Sequence, residues 1–319
     1  MASKKPVDFL EGFQAEHPDI AADVTELASL YQRKLWHQLT LKIEACFSSA
    51  AFNRGDLPVQ LFNSFISDFA HKINLLKLAH FAVHAAKYVG SPAQSIELLN
   101  GVIARLGDLK GVKVAEPVLF LRMHVAQYKL ETDAVADAKT MVEEGREKLE
   151  TLSGVDPSVS AAVYYVASLY FKGVGNFAEF YRSTLMYLSF VSSDSLPEVC
   201  CCRFEIGDSR ASQRSALWAK AGHSWLWLQR TPIQNSARHG AFASTLSCVS
   251  FALFLQDFKV RLAVDVSLAA LLGEHIYSFG QLLQHPIANA LDNGPHQWLH
   301  EMLKVRPTRT ASVTAMATG

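Results

Sequence analysis

The sequence predicts an all-α fold, a right-handed superhelix (α-solenoid) of TPR-like helical hairpins. Three observations predict it. Apolar residues recur at three- and four-residue steps almost without interruption from Ile20 to Val191, no segment alternates apolar and polar residues as a half-buried strand would, and the periodic segments come in pairs joined by short turns. One amphipathic hairpin cannot bury its own stripe, so stacking hairpins side by side is the expected solution.

The first pair is Ile20 to Arg33 with Trp36 to Phe47. Val59 to Phe69 with Leu75 to Tyr88, and Ala93 to Leu106 with Val114 to Leu130, follow the same pattern, and a further helix fits Ala134 to Leu149. The clearest unit comes next. Asp156 is a good N-cap and Pro157 suits the first helical position, where its missing N–H costs nothing. Val159, Val163, Val166, Ala167 and Tyr170 then form one stripe, which stops at Gly173-Val174-Gly175, where glycine permits the chain to reverse. Asn176 restarts the chain with Glu179 three residues on, a capping-box-like arrangement, and Phe177, Tyr181, Thr184, Leu188 and Val191 share a face.

After Leu196-Pro197 the texture changes. Residues 198–261 read as an atypical, poorly ordered insertion: Cys200-Cys201-Cys202, then Trp218, Trp225 and Trp227, mixed with Ser and Arg and weakly periodic. Helical patterning resumes at Leu262 through Ala263, Val266, Ala270 and Leu271, turns near Gly280, and continues with Leu282, Leu283 and Ile287. Residues 1–197 are thus the N-terminal helical-repeat solenoid, 262–304 its continuation, and 305–319 a tail too poor in apolar residues to order itself.

Composition narrows the function. Half of the 319 residues are hydrophobic and 30 basic residues balance 30 acidic ones, so no overall field draws the chain to nucleic acid or an anionic membrane. The longest apolar run, Leu246 to Leu255, is shorter than the ~20 residues a membrane span needs. No secretory signal follows Met1-Ala2-Ser3-Lys4-Lys5-Pro6. The five cysteines lack the paired spacing of a zinc site and read as reduced thiols.

His80 with His84, and His296 with His300, stand at the i, i+4 spacing that can put two imidazoles on one helix face. A zinc protease needs a Glu after the first His as general base, and here Phe81 and Gln297 occupy that place. Both pairs therefore read as structural or surface residues, and a metal-dependent hydrolase is the weakest alternative. No nucleophile elbow, phosphate loop or dinucleotide fingerprint is present. Carboxylates such as Glu143-Glu144 read as solvated helix surface. Arg203, Arg210, Arg214, Lys220, Arg230 and Arg238 lie among the insertion's tryptophans, a mixture that can bind single-stranded nucleic acid but is read here as accidental composition. No catalytic, cofactor or metal-binding residue is assigned, no cofactor is expected, and which residues touch a partner is not legible.

Several segments, in order, resemble one family. Leu30-Tyr31-Gln32-Arg33-Lys34-Leu35-Trp36-His37-Gln38-Leu39-Thr40-Leu41 looks like its N-terminal signature. Phe62-Asn63-Ser64-Phe65-Ile66-Ser67-Asp68-Phe69, the stretch Tyr164 to Leu188, Leu271 to Leu283 with His285-Pro286, and Gln297-Trp298-Leu299 agree with it. The family is the regulatory subunit 13 group of the 26S proteasome, lid components with a PCI domain. The resemblance covers about 1–197 and 262–303; most of 198–261 has no counterpart in it, and it stops after about Lys304. It implies a solenoid leading into an incomplete PCI domain lacking the winged helix. It also implies a non-catalytic structural subunit in the cytoplasm and nucleus, supporting ubiquitin-dependent degradation within a hetero-oligomeric assembly. Its partners would be other proteasome lid PCI subunits, with no nucleic acid and no membrane, and lid incorporation of this form is expected to be impaired. A PCI-type or TPR-like scaffold of another complex, of the signalosome or initiation-factor kind, is the alternative.

Overall fold

The computed structural model describes residues 4–49, 51–108, 114–191, 246–276, 279–292 and 295–305. All the regular structure there is helical. The helices are α1 Lys4–Glu16, α2 Ala21–Gln32, α3 Trp36–Ser48, α4 Leu57–Ser64, α5 Leu75–Ala86, α6 Pro92–Gly107, α7 Ala115–Glu131, α8 Val135–Thr151, α9 Pro157–Val174, α10 Phe177–Phe190, α11 Leu246–Leu272, α12 Gly280–Gln284 and α13 Gln297–Val305. Short 3₁₀ segments lie at Pro18–Ile20, Ile66–Lys72 and Pro286–Leu291. The chain divides within α9 into two compact units, Met1–Val166 and Ala167–Gly319.

In the first unit helices pack on their chain neighbours: α1 on α2, α2 on α3, α4 on α5, α5 on α6, α6 on α7 and α7 on α8. α5 also packs on α7. Short connections between packed helices make these hairpins. Leu27, Leu39, Ile43, Leu61, Phe65, Ile66, Leu99 and Leu121 are fully buried in their seams. α7 touches α5, α6 and α8, which explains why its buried residues, from Pro117 to Leu130, lie on all its faces. In the second unit α11 packs on α10, on the Pro286–Leu291 segment and on α13, burying Val266, Ala270, Ile287, Leu299 and Leu303.

Three features differ from the sequence reading. α1, not expected, buries Leu10 and Phe13 and packs on α2. The single helix expected over Val59 to Phe69 is instead α4 followed, after Phe65, by a 3₁₀ segment. There the Ser67 hydroxyl donates to the Phe62 carbonyl at 3.1 Å, competing with the backbone at the helix end. The helix carrying Leu262 begins already at Leu246, inside the stretch expected to be poorly ordered. Its first residues, Leu246-Ser247-Cys248-Val249-Ser250-Phe251-Ala252-Leu253-Phe254-Leu255, are an almost continuous apolar run broken by Ser247 and Ser250, with no clear amphipathic period to read.

Three connections are built alike. At the ends of α2, α7 and α9 one residue takes a left-handed conformation: Lys34 at φ 57°, Asp133 at φ 63° and Gly175 at φ 81°. In each, the following N–H reaches the carbonyl five residues back, Leu35 to Leu30 at 3.1 Å, Ala134 to Lys129 at 3.0 Å and Asn176 to Phe171 at 3.0 Å, closing a Schellman motif. That residue has φ/ψ of −85°/69°, −79°/58° and −85°/88° respectively, and the next helix starts immediately after it.

Candidate protein-interaction site

The α2–α3 turn throws Leu35 outward, leaving it 37% exposed, and folds the half-buried Trp36 back onto the 3₁₀ segment. The Trp36 and Phe69 rings stack at 5.8 Å, and Tyr31 meets Trp36, Phe65 and Phe69 at 5.5–5.9 Å. The Tyr31 hydroxyl donates to Asp68 Oδ2 at 2.7 Å. Burial, then the hydrogen bond and charge of Asp68, push the Tyr31 phenol up to about 12. Two segments far apart in sequence, Leu30–Leu41 and Phe62–Phe69, are thereby held together by one aromatic cluster. Around it, Lys42 is held by Asp23 at 2.7 Å and Glu26 at 2.5 Å, which raises its pKa, and Lys77 is held by Glu44 at 2.6 Å.

The two histidines of α5 turn to different partners. His84 stacks on Phe47 at 4.5 Å, and its Nε2 donates to Asn53 Oδ1 at 2.8 Å, while the Asn53 amide donates to the Phe47 carbonyl at 2.7 Å. His80 lies 4.4 Å from the Phe120 ring and 3.3 Å, through Nε2, from Ser158 Oγ. Ser158 also contacts Asp156 Oδ1 at 2.6 Å through its hydroxyl and 2.9 Å through its amide. This string of His, Ser and Asp is not a nucleophilic triad: the hydroxyl donates its hydrogen bond to the carboxylate, so it is not aimed at the imidazole that would have to act as base. Asp156 is the N-cap the sequence predicts for α9. Partial burial pushes its carboxyl up, but the two Ser158 hydrogen bonds outweigh this and hold it low. Burial, with the charge of Lys77, brings His80 down to about 4; burial, with Lys87, brings His84 to about 4. His124 on α7, 4% exposed and 4.6 Å from Phe120, is brought to about 3 by burial first.

In the second unit His285 Nδ1 accepts from the Ile287 N–H at 3.2 Å, leaving Nε2 to donate to the Leu188 carbonyl at 3.3 Å; burial lowers its pKa. Lys172 pairs with Asp265, joining α9 to α11. His300 is buried on α13 and bonds Asp292, whereas His296 precedes that helix, its carbonyl accepting from the Leu299 N–H at 2.9 Å. The i, i+4 spacing of His296 and His300 therefore does not correspond to one helix face. Among the described residues no group of three or more His, Cys, Asp or Glu is placed to hold a metal, and no helix is long and apolar enough to cross a membrane. Cys46 is a buried free thiol, pushed up to about 12 by burial. Cys200 to Cys202, the three tryptophans of the insertion and the basic residues among them lie outside the described residues.

The family model of the PSD13 N-terminal repeats matches residues 23–201 and 244–303, three-quarters of the chain and both halves of its helical structure. The chain belongs to this family. Residues 202–243 fall between the two parts of the match. Among curated relatives, the chain is 34% identical over 298 residues to the 26S proteasome non-ATPase regulatory subunit 13 homolog B of Arabidopsis thaliana, covering 93% of this chain and 62% of the relative. It is 33% identical to homolog A of the same plant, with the same coverage. It is 24% identical to the probable 26S proteasome regulatory subunit rpn9 of Schizosaccharomyces pombe, over 93% of this chain and 61% of that protein. The chain thus spans about three-fifths of the length of these relatives. Both segments of the aromatic cluster fall inside the match, so the family's N-terminal repeats and the Tyr31–Asp68 junction are the same piece of structure.

Proposed function

We propose that the chain is a non-catalytic α-helical scaffold of the 26S proteasome regulatory lid, acting by contact with other lid PCI subunits in the cytoplasm and nucleus. The single observation that carries this reading is the PSD13-repeat match across both described halves of the chain. Its relatives are named as 26S proteasome regulatory subunits. Two physical points agree with a contact role. The polar groups that could have formed a reactive centre are spent on tying helices together: His80 to α9, His84 to the loop before α4, His285 to the end of α10. Depressed pKa values at His80 and His84 come from packing in a helix seam, not from a cleft with a second reactive group. Weakened incorporation belongs to the same proposal, on the ground of residues 202–243, which interrupt the family match.

The test is affinity purification of the tagged chain from cells, followed by a census of the proteins that come with it. Lid subunits in constant proportion to one another support the role; a clean, partnerless chain, or a different complex, overturns it. Deleting 202–243 should raise the yield of lid subunits, and an unchanged yield removes the insertion as the cause of weak assembly.

A further inference from the structure

α13 carries two apolar stripes. At about 100° per residue, Leu299 and Leu303, with His300, fall on one side, and Trp298, Met302 and Val305 fall within about 60° of one another, centred about 140° away. The first stripe is buried where α13 packs on α11 and on the Pro286–Leu291 segment. The second faces outward: Trp298 is 37%, Met302 51% and Val305 78% exposed. Exposed Gln297, Glu301 and Lys304 fill the arc on one side of it, where the Gln297 amide donates to Glu301 Oε1 at 3.1 Å. A helix at the edge of a fold needs one apolar stripe and ordinarily turns a polar face outward. A helix apolar on opposing sides is built to be packed from both, as α7 is between α5, α6 and α8.

The family match says what covers the outer stripe. It is a match to N-terminal repeats, it runs to residue 303 in the last turn of α13, and the chain spans 62% of homolog B of Arabidopsis thaliana. The relatives therefore carry further chain beyond the counterpart of α13, and stacked repeats bury their stripes on the next unit in sequence. We propose that Trp298, Met302 and Val305 form a seam that receives an amphipathic helix from the part of the family chain that follows the repeats. The inference rests on family membership and not on the lid role, and it adds which residues make the next contact and the chemistry they select. Glu301 and Lys304 put one charge of each sign beside the stripe, so the seam takes an apolar helix face and rewards neither an acidic nor a basic one. A second copy of this chain suits it less well. Three side chains on a nine-residue helix, paired with themselves, offer too little surface to reach the roughly 1,200 Å² that a stable dimer buries.

The probe is the part of homolog B that follows its N-terminal repeats, produced as a separate labelled chain and titrated by anisotropy against the full 319-residue chain. Binding should saturate and should change little as salt rises from about 0.1 M to about 1 M, as an apolar contact requires. Met302→Glu/Val305→Lys leaves the net charge unchanged but sets two charges against an apolar face, and should weaken binding at least about tenfold. Met302→Leu should bind as the natural chain does, and so should Met186→Glu, a change at an exposed methionine of α10. All these positions are exposed, so the variants keep the fold, and circular dichroism checks it. A second measurement does not need the probe to fold alone. In a chimera where the same part of homolog B replaces residues 306–319, oxidation of Met302 by hydrogen peroxide, followed by mass spectrometry, should slow several-fold while that of Met186 is unchanged. Met302 oxidised as fast in the chimera as in the natural chain, a double variant that binds as the natural chain does, or a natural chain that dimerises through Met302 instead of taking up the probe overturns the proposal. If lid subunits co-purify equally with the natural chain and the double variant while Met302 stays unprotected, the seam is wrong and the lid role stands. If Met302 is protected and no lid subunit co-purifies, the reverse holds.

Discussion

Acidification should loosen the first unit through three histidines packed between its helices, His80 and His124 where α5 meets α7 and His84 where α5 meets α3, and the size of the effect follows from their surroundings. His80 and His84 are brought from an ordinary 6.5 to about 4, and His124 to about 3, by burial first in every case. The neighbouring charges are mixed: Lys77 and Lys87 push His80 down while Asp156 and Glu44 pull it up, and Lys87 alone adds to burial at His84. The unfolded chain therefore takes up protons below 6.5 while the folded chain does not until about 4. Stability is complete above the unfolded value and is lost as pH falls towards the folded one, by about 1.4 kcal/mol per pH unit for each group. Going from about pH 7 to about pH 5.5 crosses roughly one unit of that window, so each histidine costs about 1.2 kcal/mol and the three together about 3–4 kcal/mol. Urea unfolding of the full chain at both pH values measures this as a fall in the midpoint. His84→Phe isolates one share. The phenyl ring keeps the stack on Phe47 but leaves Asn53 Oδ1 without its donor, so the variant is less stable near neutrality by about 1–2 kcal/mol. Its further loss on acidification is smaller by about a third. A variant as sensitive to acid as the natural chain, or a natural chain equally stable at both pH values, would refute the assignment of neutral imidazoles at these packed positions.

Other consequences are read by thermal melting. Gly175→Ala places a Cβ at φ 81° and should cost about 1 kcal/mol, whereas Asp133→Gly relieves φ 63° and should gain up to about 1 kcal/mol; opposite signs are the test. A Cβ at Gly145 of α8 would stand 2.6 Å from Met123 Cε on α7. The end of a methionine can move, so Gly145→Ala should be tolerated, while Gly145→Val should lose about 1–3 kcal/mol; equal melting of the two variants counts against close packing there. Tyr31→Phe keeps the aromatic cluster but strips Asp68 of its donor, and a loss of about 1–2 kcal/mol is expected; no loss means the bond does not tie the two segments.

Much of this was legible from periodicity because a helical hairpin writes its seam into spacing. Asp156 and Asn176 cap α9 and α10 as their residue types require, the latter accepting from the Glu179 N–H at 3.2 Å. Val159, Val163, Val166, Thr184 and Leu188 are buried as their spacing implies. What stayed hidden did so for physical reasons. α7 is enclosed on all sides, so burial there adds no further period to read, and the lowered pKa of His124 depends first on burial and then on Lys87 and His80, which lie far from it in sequence. The i, i+4 rule places His80 and His84 near one face but says nothing of the side-chain rotation that sends one ring to Ser158 and the other to Asn53.

The repeated connection shows why the repeats look so degenerate. A Schellman turn requires one left-handed residue and two backbone hydrogen bonds, and backbone atoms are the same in every residue. Glycine fills the special position most cheaply, yet the penalty for a side chain there is about 1–2 kcal/mol, small enough for seams such as those of Leu27, Leu39 and Leu121 to absorb. So Gly175, Asp133 and Lys34 can hold one geometry with three chemistries. Of these, only glycine marks a turn to a reader of the sequence. The two substitutions free the surface instead: a position that the fold leaves open to any tolerable residue can carry a charge outward, as the exposed Lys34 does beside Leu35. Recurrent backbone geometry with non-recurrent side chains is what a contact scaffold requires, since each turn keeps its helices in register while presenting a different face to its neighbour.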